Sequence, residues 1–233
     1  EPLQSDITIR QLVTHTSGLQ HGVFDPESLL FKAYHASGVR GFQTTLAEQM
    51  DRLVELPLST QPGTQWEYAL GIDVLARLCE IATGLRFGDA LQHHVCGPAG
   101  MTDTGFVLRP DQVPRLAALY KGDLTDQMKP GLERLDATPW PEAFIKPVPR
   151  QSGAGGLVST QADMLALLRA LTPGQPGTLL QPATLAAMFS DQLPEPLCVQ
   201  LPVSGPIASL GFGLGGAIVR RASRLEPPGA VGE

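Results

Sequence analysis

Between Leu70 and Thr83 the sequence sets Leu70, Val74, Leu75, Leu78, Cys79, Ile81 and Ala82 at helical spacing, an apolar stripe wide enough for a buried helix. Gly84 follows, where a C-terminal cap favours a residue without a Cβ. In front stands the turn Gln61-Pro62-Gly63-Thr64, then Gln65-Trp66-Glu67-Tyr68-Ala69, so the chain delivers a phenol to the entrance of that helix. A helix with so broad an apolar side must be covered by other elements, which constrains everything around it.

The covering elements are legible as further helices. Thr8 stands three residues before Gln11, a capping-box spacing, with Ile9, Leu12 and Val13 on one side, and Gly18 is expected to end that helix. Thr45 and Glu48 repeat the device before Leu46, Met50, Leu53 and Val54, predicting a helix over 46–55 that Pro57 stops. Phe87, Ala90, Leu91 and Val95 predict another, ending near Gly97-Pro98. Gly153 to Val158 reads as a flexible entry to a helix capped by Thr160 and Asp163, with Met164, Leu165, Leu167, Leu168 and Leu171 as its apolar side. Pro182 suits the first turn of a helix holding Leu185, Met188 and Phe189.

From Asp103 to Arg150 periodicity is poor and prolines are frequent, which predicts an irregular excursion with short helical turns. Leu210 to Arg220 reads as the only convincing strand, with no visible partner. No internal repeat is apparent. These signals describe a mostly helical body with a dangling strand.

Composition excludes several classes. A chain of 233 residues with 42% apolar content can bury an ordinary core. A net charge of −6 and a pI near 5.4 argue against nucleic acid as the main partner, and the basic doublet Arg220-Arg221 reads as a solvated strand end. No run of about 18 apolar residues offers a membrane span. Glu1 to Asp6 has neither the basic start nor the apolar centre of a signal peptide, which tilts the compartment toward the cytoplasm over the periplasm. Cys79, Cys96 and Cys198 are odd in number and lack metal-type spacing, so they read as structural, with Cys79 a small buried thiol on the face of Leu75, Leu78 and Ala82. Neither metal nor cofactor is implied.

Four segments in order resemble the class C β-lactamase-like superfamily, which includes β-lactamases, D-alanyl-D-alanine carboxypeptidases and related esterases. They are Ile9-Arg10-Gln11-Leu12-Val13-Thr14-His15-Thr16-Ser17-Gly18-Leu19, Pro62-Gly63 with Tyr68-Ala69-Leu70-Gly71, Pro98-Ala99-Gly100-Met101, and Ser152 through Asp163. The resemblance implies an α+β fold, in which an antiparallel sheet domain packs on a helical region with the active site between them. On that reading residues 1–200 are mainly the helical region and 201–233 the start of the C-terminal sheet portion. The family's Ser-x-x-Lys pair has no counterpart: Lys32, Lys121, Lys129 and Lys146 are preceded at three residues by Leu29, Ala118, Asp126 and Ala143. The expectation is therefore a fragment, inactive alone, with Ser-x-x-Lys upstream of Glu1 and the final Lys/His/Trp-x-Gly strand beyond Glu233.

What the resemblance implies for Tyr68 is a catalytic role. A phenol titrates at about pH 10 in water, and a neighbouring ammonium can lower that enough to make it a usable base. The plainer alternative is an aromatic at a helix entry, packed on Trp66. Leu70 takes the place where β-lactamases of this type commonly carry an asparagine that hydrogen-bonds the substrate amide. An apolar side chain cannot make that bond, so the expected substrate is a small carboxylic ester with apolar parts, with β-lactam or D-alanyl-peptide amides, or a non-catalytic homologue, as alternatives.

Other chemistry-bearing residues have plainer readings. His15 and Ser17 lack a Gly-x-Ser-x-Gly setting and fit a turn whose polar groups satisfy the backbone. The adjacent His93 and His94 are poor metal geometry and read as solvated. Gly211-x-Gly213-x-Gly215-Gly216 precedes a strand pattern rather than a helix, so it reads as close backbone approach or a bulge, not a phosphate loop.

Overall fold

A computed structural model of the chain describes residues 1–21, 27–122, 131–135, 142–201 and 205–221. The helical signals are realised where the caps placed them. Helix α1 (Ile9–Val13) starts at Thr8 with both halves of the capping box formed, and α3 (Leu46–Leu53) does the same at Thr45 and Glu48. Between them lies α2 (Leu29–Ser37), capped by Ser28, which no periodic signal announces. Helix α4 (Gly71–Thr83) ends on Gly84 in the left-handed conformation at φ 71. Helix α5 (Phe87–Leu91) runs through a π turn (Gln92–Cys96) into the single turn α6 (Gly97–Ala99). Helices α7 (Gln161–Ala170) and α8 (Pro182–Met188) follow, with Pro182 in the first turn of α8.

Helix α4 packs at its N-terminal end, where Gly71 lies so near α1 that an added Cβ would stand 2.9 Å from the Leu12 carbonyl oxygen. Around that crossing a core forms from Leu12, Leu19, Tyr34, Val39, Leu53, Ala69 and Leu70. The burial of α4 is not continuous: Leu78 is 36% exposed and Ile81 64%. Cys79 shares that exposed half and is not the buried thiol expected; Cys96 is the buried one.

The strand expectation is corrected. Leu210 to Arg220 is not one unpartnered strand but a hairpin, β5 (Leu210–Phe212) paired antiparallel with β6 (Ala217–Val219), with Phe212 opposite Ala217. Its glycines permit close approach, since a Cβ on Gly213 would lie 2.2 Å from the Met188 carbonyl oxygen at the end of α8. Two more three-residue pairs occur, β1 (Leu119–Lys121) with β2 (Glu133–Leu135) and β3 (Val199–Leu201) with β4 (Gly205–Ile207). The first falls in the stretch expected to be irregular. Trp66, Leu193, Val199 and Phe212 form a second core against the hairpins. Arg220 is not simply solvated, because its guanidinium bonds Asp191 and the Leu197 carbonyl.

One boundary and one capping side chain also differ. Helix α1 stops at Val13, and Gly18, at φ 80, closes the turn beyond it; a Cβ there would meet the Thr60 carbonyl oxygen at 2.2 Å. Thr160 caps α7 by accepting the Asp163 N–H, but the Asp163 carboxylate turns outward from the cap to the Asp103 N–H at 2.8 Å and the Thr104 hydroxyl at 2.7 Å.

Candidate active site

The turn after α1 docks on the segment that carries Tyr68. Its main chain receives the Gly63 N–H at the Thr16 carbonyl, 2.7 Å, and the Ser59 N–H at the Gly18 carbonyl, 2.8 Å. His15 contributes twice: its carbonyl accepts the Glu67 N–H at 2.8 Å and its Nδ1 accepts the Ala69 N–H at 3.3 Å. The Glu67 carboxylate points away to the Gln20 amide and the Ser59 hydroxyl, each at 2.6 Å. No serine–histidine pair forms here, since Ser17 accepts the Leu19 N–H and Nδ1 of His15 is occupied.

Tyr68 itself is 39% exposed. Its ring lies between two imidazoles, 5.0 Å from His15 and 5.4 Å from His21. Trp66 instead packs on His15 and Phe212. Burial, with His21 as the lesser cause, lowers the His15 pKa to about 4, so this imidazole is neutral at pH 7, and the N–H it accepts from Ala69 at Nδ1 leaves its one proton on Nε2. Burial and then Arg40 lower that of His21, against an opposing pull from Asp73.

His21 also lines a cleft of about 220 Å³. Leu70, Phe42 and Phe144 give it apolar walls, and Ala154, Gly155 and Gly156 form one edge. Leu70 is 3% exposed, so it belongs to the core and shows the cleft only a small face. Tyr68 and Leu70 therefore share one short segment, with the phenol at the surface and the leucine inside.

Sequence reasoning missed the polar frame of this cleft. Asp73, in the first turn of α4, accepts from the Ser152 hydroxyl at 2.6 Å, the Ala154 N–H at 3.3 Å and the Gln49 amide at 3.0 Å. These bonds tie α3, α4 and the glycine-rich loop together. Gly153 makes the approach possible, since a Cβ would stand 2.4 Å from the Ile72 carbonyl oxygen. Arg150 fixes the other side by donating to the Val39 carbonyl at 2.7 Å and to the Gly41 carbonyl, with its guanidinium 5.4 Å from the Phe42 ring centre. The signal available for Asp73 was an acid inside an apolar stripe, which needs a buried partner.

Among the described residues no cluster of His, Cys, Asp and Glu could hold a metal ion, and no helix is long and apolar enough to cross a membrane. His93 and His94 are exposed on the π turn, edge to face at 4.6 Å. The arrangement offers a surface phenol beside two imidazoles, one of which, His21, lines an apolar-walled cleft.

A family model described as Beta-lactamase matches residues 2–226. Esterase EstB of Burkholderia gladioli is 33% identical over 80% of the chain and 48% of its own length. Monacolin J acid methylbutanoyltransferase of Aspergillus terreus is 32% identical over 91% of the chain and 52% of its own length. The solved structure of EstCE1, described as a hydrolase with promiscuous acyltransferase activity, superimposes with a TM-score of 0.76 at 28% identity, covering 97% of this chain and 60% of that one. The chain thus spans about half the length of the curated relatives it matches.

Proposed function

This chain belongs to the Beta-lactamase family and has the β-lactamase-like α+β fold, and from that premise we propose that it is part of a serine hydrolase, a carboxylesterase that works through an acyl-enzyme. Its relatives include esterases and acyltransferases. An esterase and an acyltransferase differ in what accepts the acyl group, and one covalent acyl-enzyme accounts for both. In this reading residues 1–200 supply the helical side and 201–233 begin the sheet portion. A serine and a lysine from elsewhere in the full-length protein complete the site.

The serine hydroxyl attacks the ester carbonyl, its proton passing to the lysine and Tyr68 pair. The alcohol leaves with a proton from that pair, and water then releases the acid by the reverse sequence. Tyr68 is the catalytic phenol, and Leu70 belongs to the apolar wall that receives the substrate. The observation that carries the reading is the half-open phenol of Tyr68, whose ring lies 5.4 Å from His21, a residue that lines a cleft with Leu70, Phe42 and Phe144. An amide-bearing β-lactam would leave its polar group unpaired against that wall.

The full-length protein should be labelled by a fluorophosphonate probe and hydrolyse p-nitrophenyl butyrate faster than nitrocefin. Absence of labelling would remove the hydrolase reading, and a faster nitrocefin reaction would replace esters by β-lactams.

A further inference from the structure

His15 binds the two residues that flank Tyr68 and not merely the neighbourhood. Its carbonyl takes the amide of Glu67, its imidazole takes the amide of Ala69, and its ring stands 5.0 Å from that of the tyrosine, tilted by 35°. The backbone that allows this is left-handed at φ 57, a conformation that a residue with a Cβ holds only where its surroundings fix it. Trp66 at 5.7 Å and Phe212 at 5.4 Å set their rings against the same imidazole, so it is wedged on three sides by aromatic groups. His15 is 4% exposed and does not itself line the cleft.

We infer that His15 is a positioning residue for Tyr68, clamping residues 67 and 69 so that the phenol is held in one place beside His21. The inference rests on the reading of Tyr68 as the catalytic phenol. Tyr68 lies in a stretch with no helix or strand bonding of its own, so its direction depends on bonds made to other segments. A displacement of about 1 Å in a group that moves a proton can cost about 10²-fold in rate. The clamp requires an acceptor at Nδ1, which the neutral imidazole supplies and an imidazolium does not. His21 is the titratable group facing it, and the Glu67 carboxylate is turned toward Gln20 and Ser59.

The test uses the full-length protein and p-nitrophenyl butyrate, with kcat, KM and melting temperature measured together. His15→Leu keeps bulk and loses the acceptor, His15→Gln sets an acceptor one bond too far, and His15→Asn places Oδ1 close to where Nδ1 was. Leu and Gln should lower kcat by about 30-fold or more while KM stays within about threefold, and Asn should recover most of the loss. A purely structural histidine would lower melting temperature without that split, and Asn, which suits the left-handed backbone as His does, would then restore melting temperature and leave kcat no higher than in Gln; either result overturns the inference. Should His15→Leu fail to fold, the Gln and Asn pair decides. Tyr68→Phe separates the two readings. If it abolishes turnover while the His15 variants keep theirs, only the clamp is refuted. If it is fully active, the catalytic phenol and the clamp both fall.

Discussion

His15 and Asp73 are single residues on which the local architecture converges, and both owe their influence to burial. Asp73 gives its carboxylate to three donors from two segments, α3 and the glycine-rich loop, so its charge is met by hydrogen bonds. His15 is buried neutral, with its pKa held at about 4 against about 6.5 when exposed, desolvation being the main cause. A depressed histidine pKa means that the unfolded chain binds the proton more readily. The stabilisation is therefore complete above about pH 6.5 and is lost as pH falls toward 4, by an amount on the order of 3 kcal/mol. His21, lowered for the same reason, acts in the same direction. Asp103 belongs to a more acid window, since its hydrogen bonds from Arg115 and Gln112 hold it at about 2. Denaturant unfolding at steps between pH 7 and 4.5 should show this slope, and His15→Asn, which does not titrate, should flatten it. An unchanged slope in that variant would mean that other groups carry the acid sensitivity.

Elements with local signals were legible, and those held by distant contacts were not. Thr8, Thr45 and Thr160 announced three helices because a cap needs only a hydroxyl three residues from an amide. Helix α3 brings Gln49 to Asp73, so its cap supports the site as well as the helix. Thr45→Ala should cost about 1 kcal/mol, read as a lower denaturant midpoint at unchanged slope; no shift would mean the capping box contributes nothing. Helix α2 escaped notice although its Tyr34 is fully buried, because its other apolar residues do not form a stripe. The β5–β6 hairpin was taken for one strand because three residues are too few to show alternation and a glycine-rich turn reads through as strand. At the candidate site the tyrosine segment could be found by its motif. The clamp and the carboxylate frame could not, since they join residues 54 and 79 positions apart.

At the scale of the molecule, one imidazole links two cores. Leu12, Leu70 and their neighbours form one, Trp66 and Phe212 belong to the other, and His15 touches both through Ala69, Trp66 and Phe212. The half of α4 beyond Leu78 shares in neither. Because the turn after α1 binds residues 59–70 through main-chain bonds, the Tyr68 segment depends on loop closure across about fifty residues and not on its own propensity. Its amides carry that dependence as a measurable signature. Glu67, Ala69 and Leu70 lie outside any helix or strand, yet their N–H groups are given to His15 and Gln20. In hydrogen exchange these three should be protected like strand amides and should open together, whereas the amides at the C-terminal end of α4 exchange by local fraying. Independent exchange at 67 and 69 would mean that the two halves of the clamp open separately. A stretch outside every helix and strand would then keep time with the whole fold.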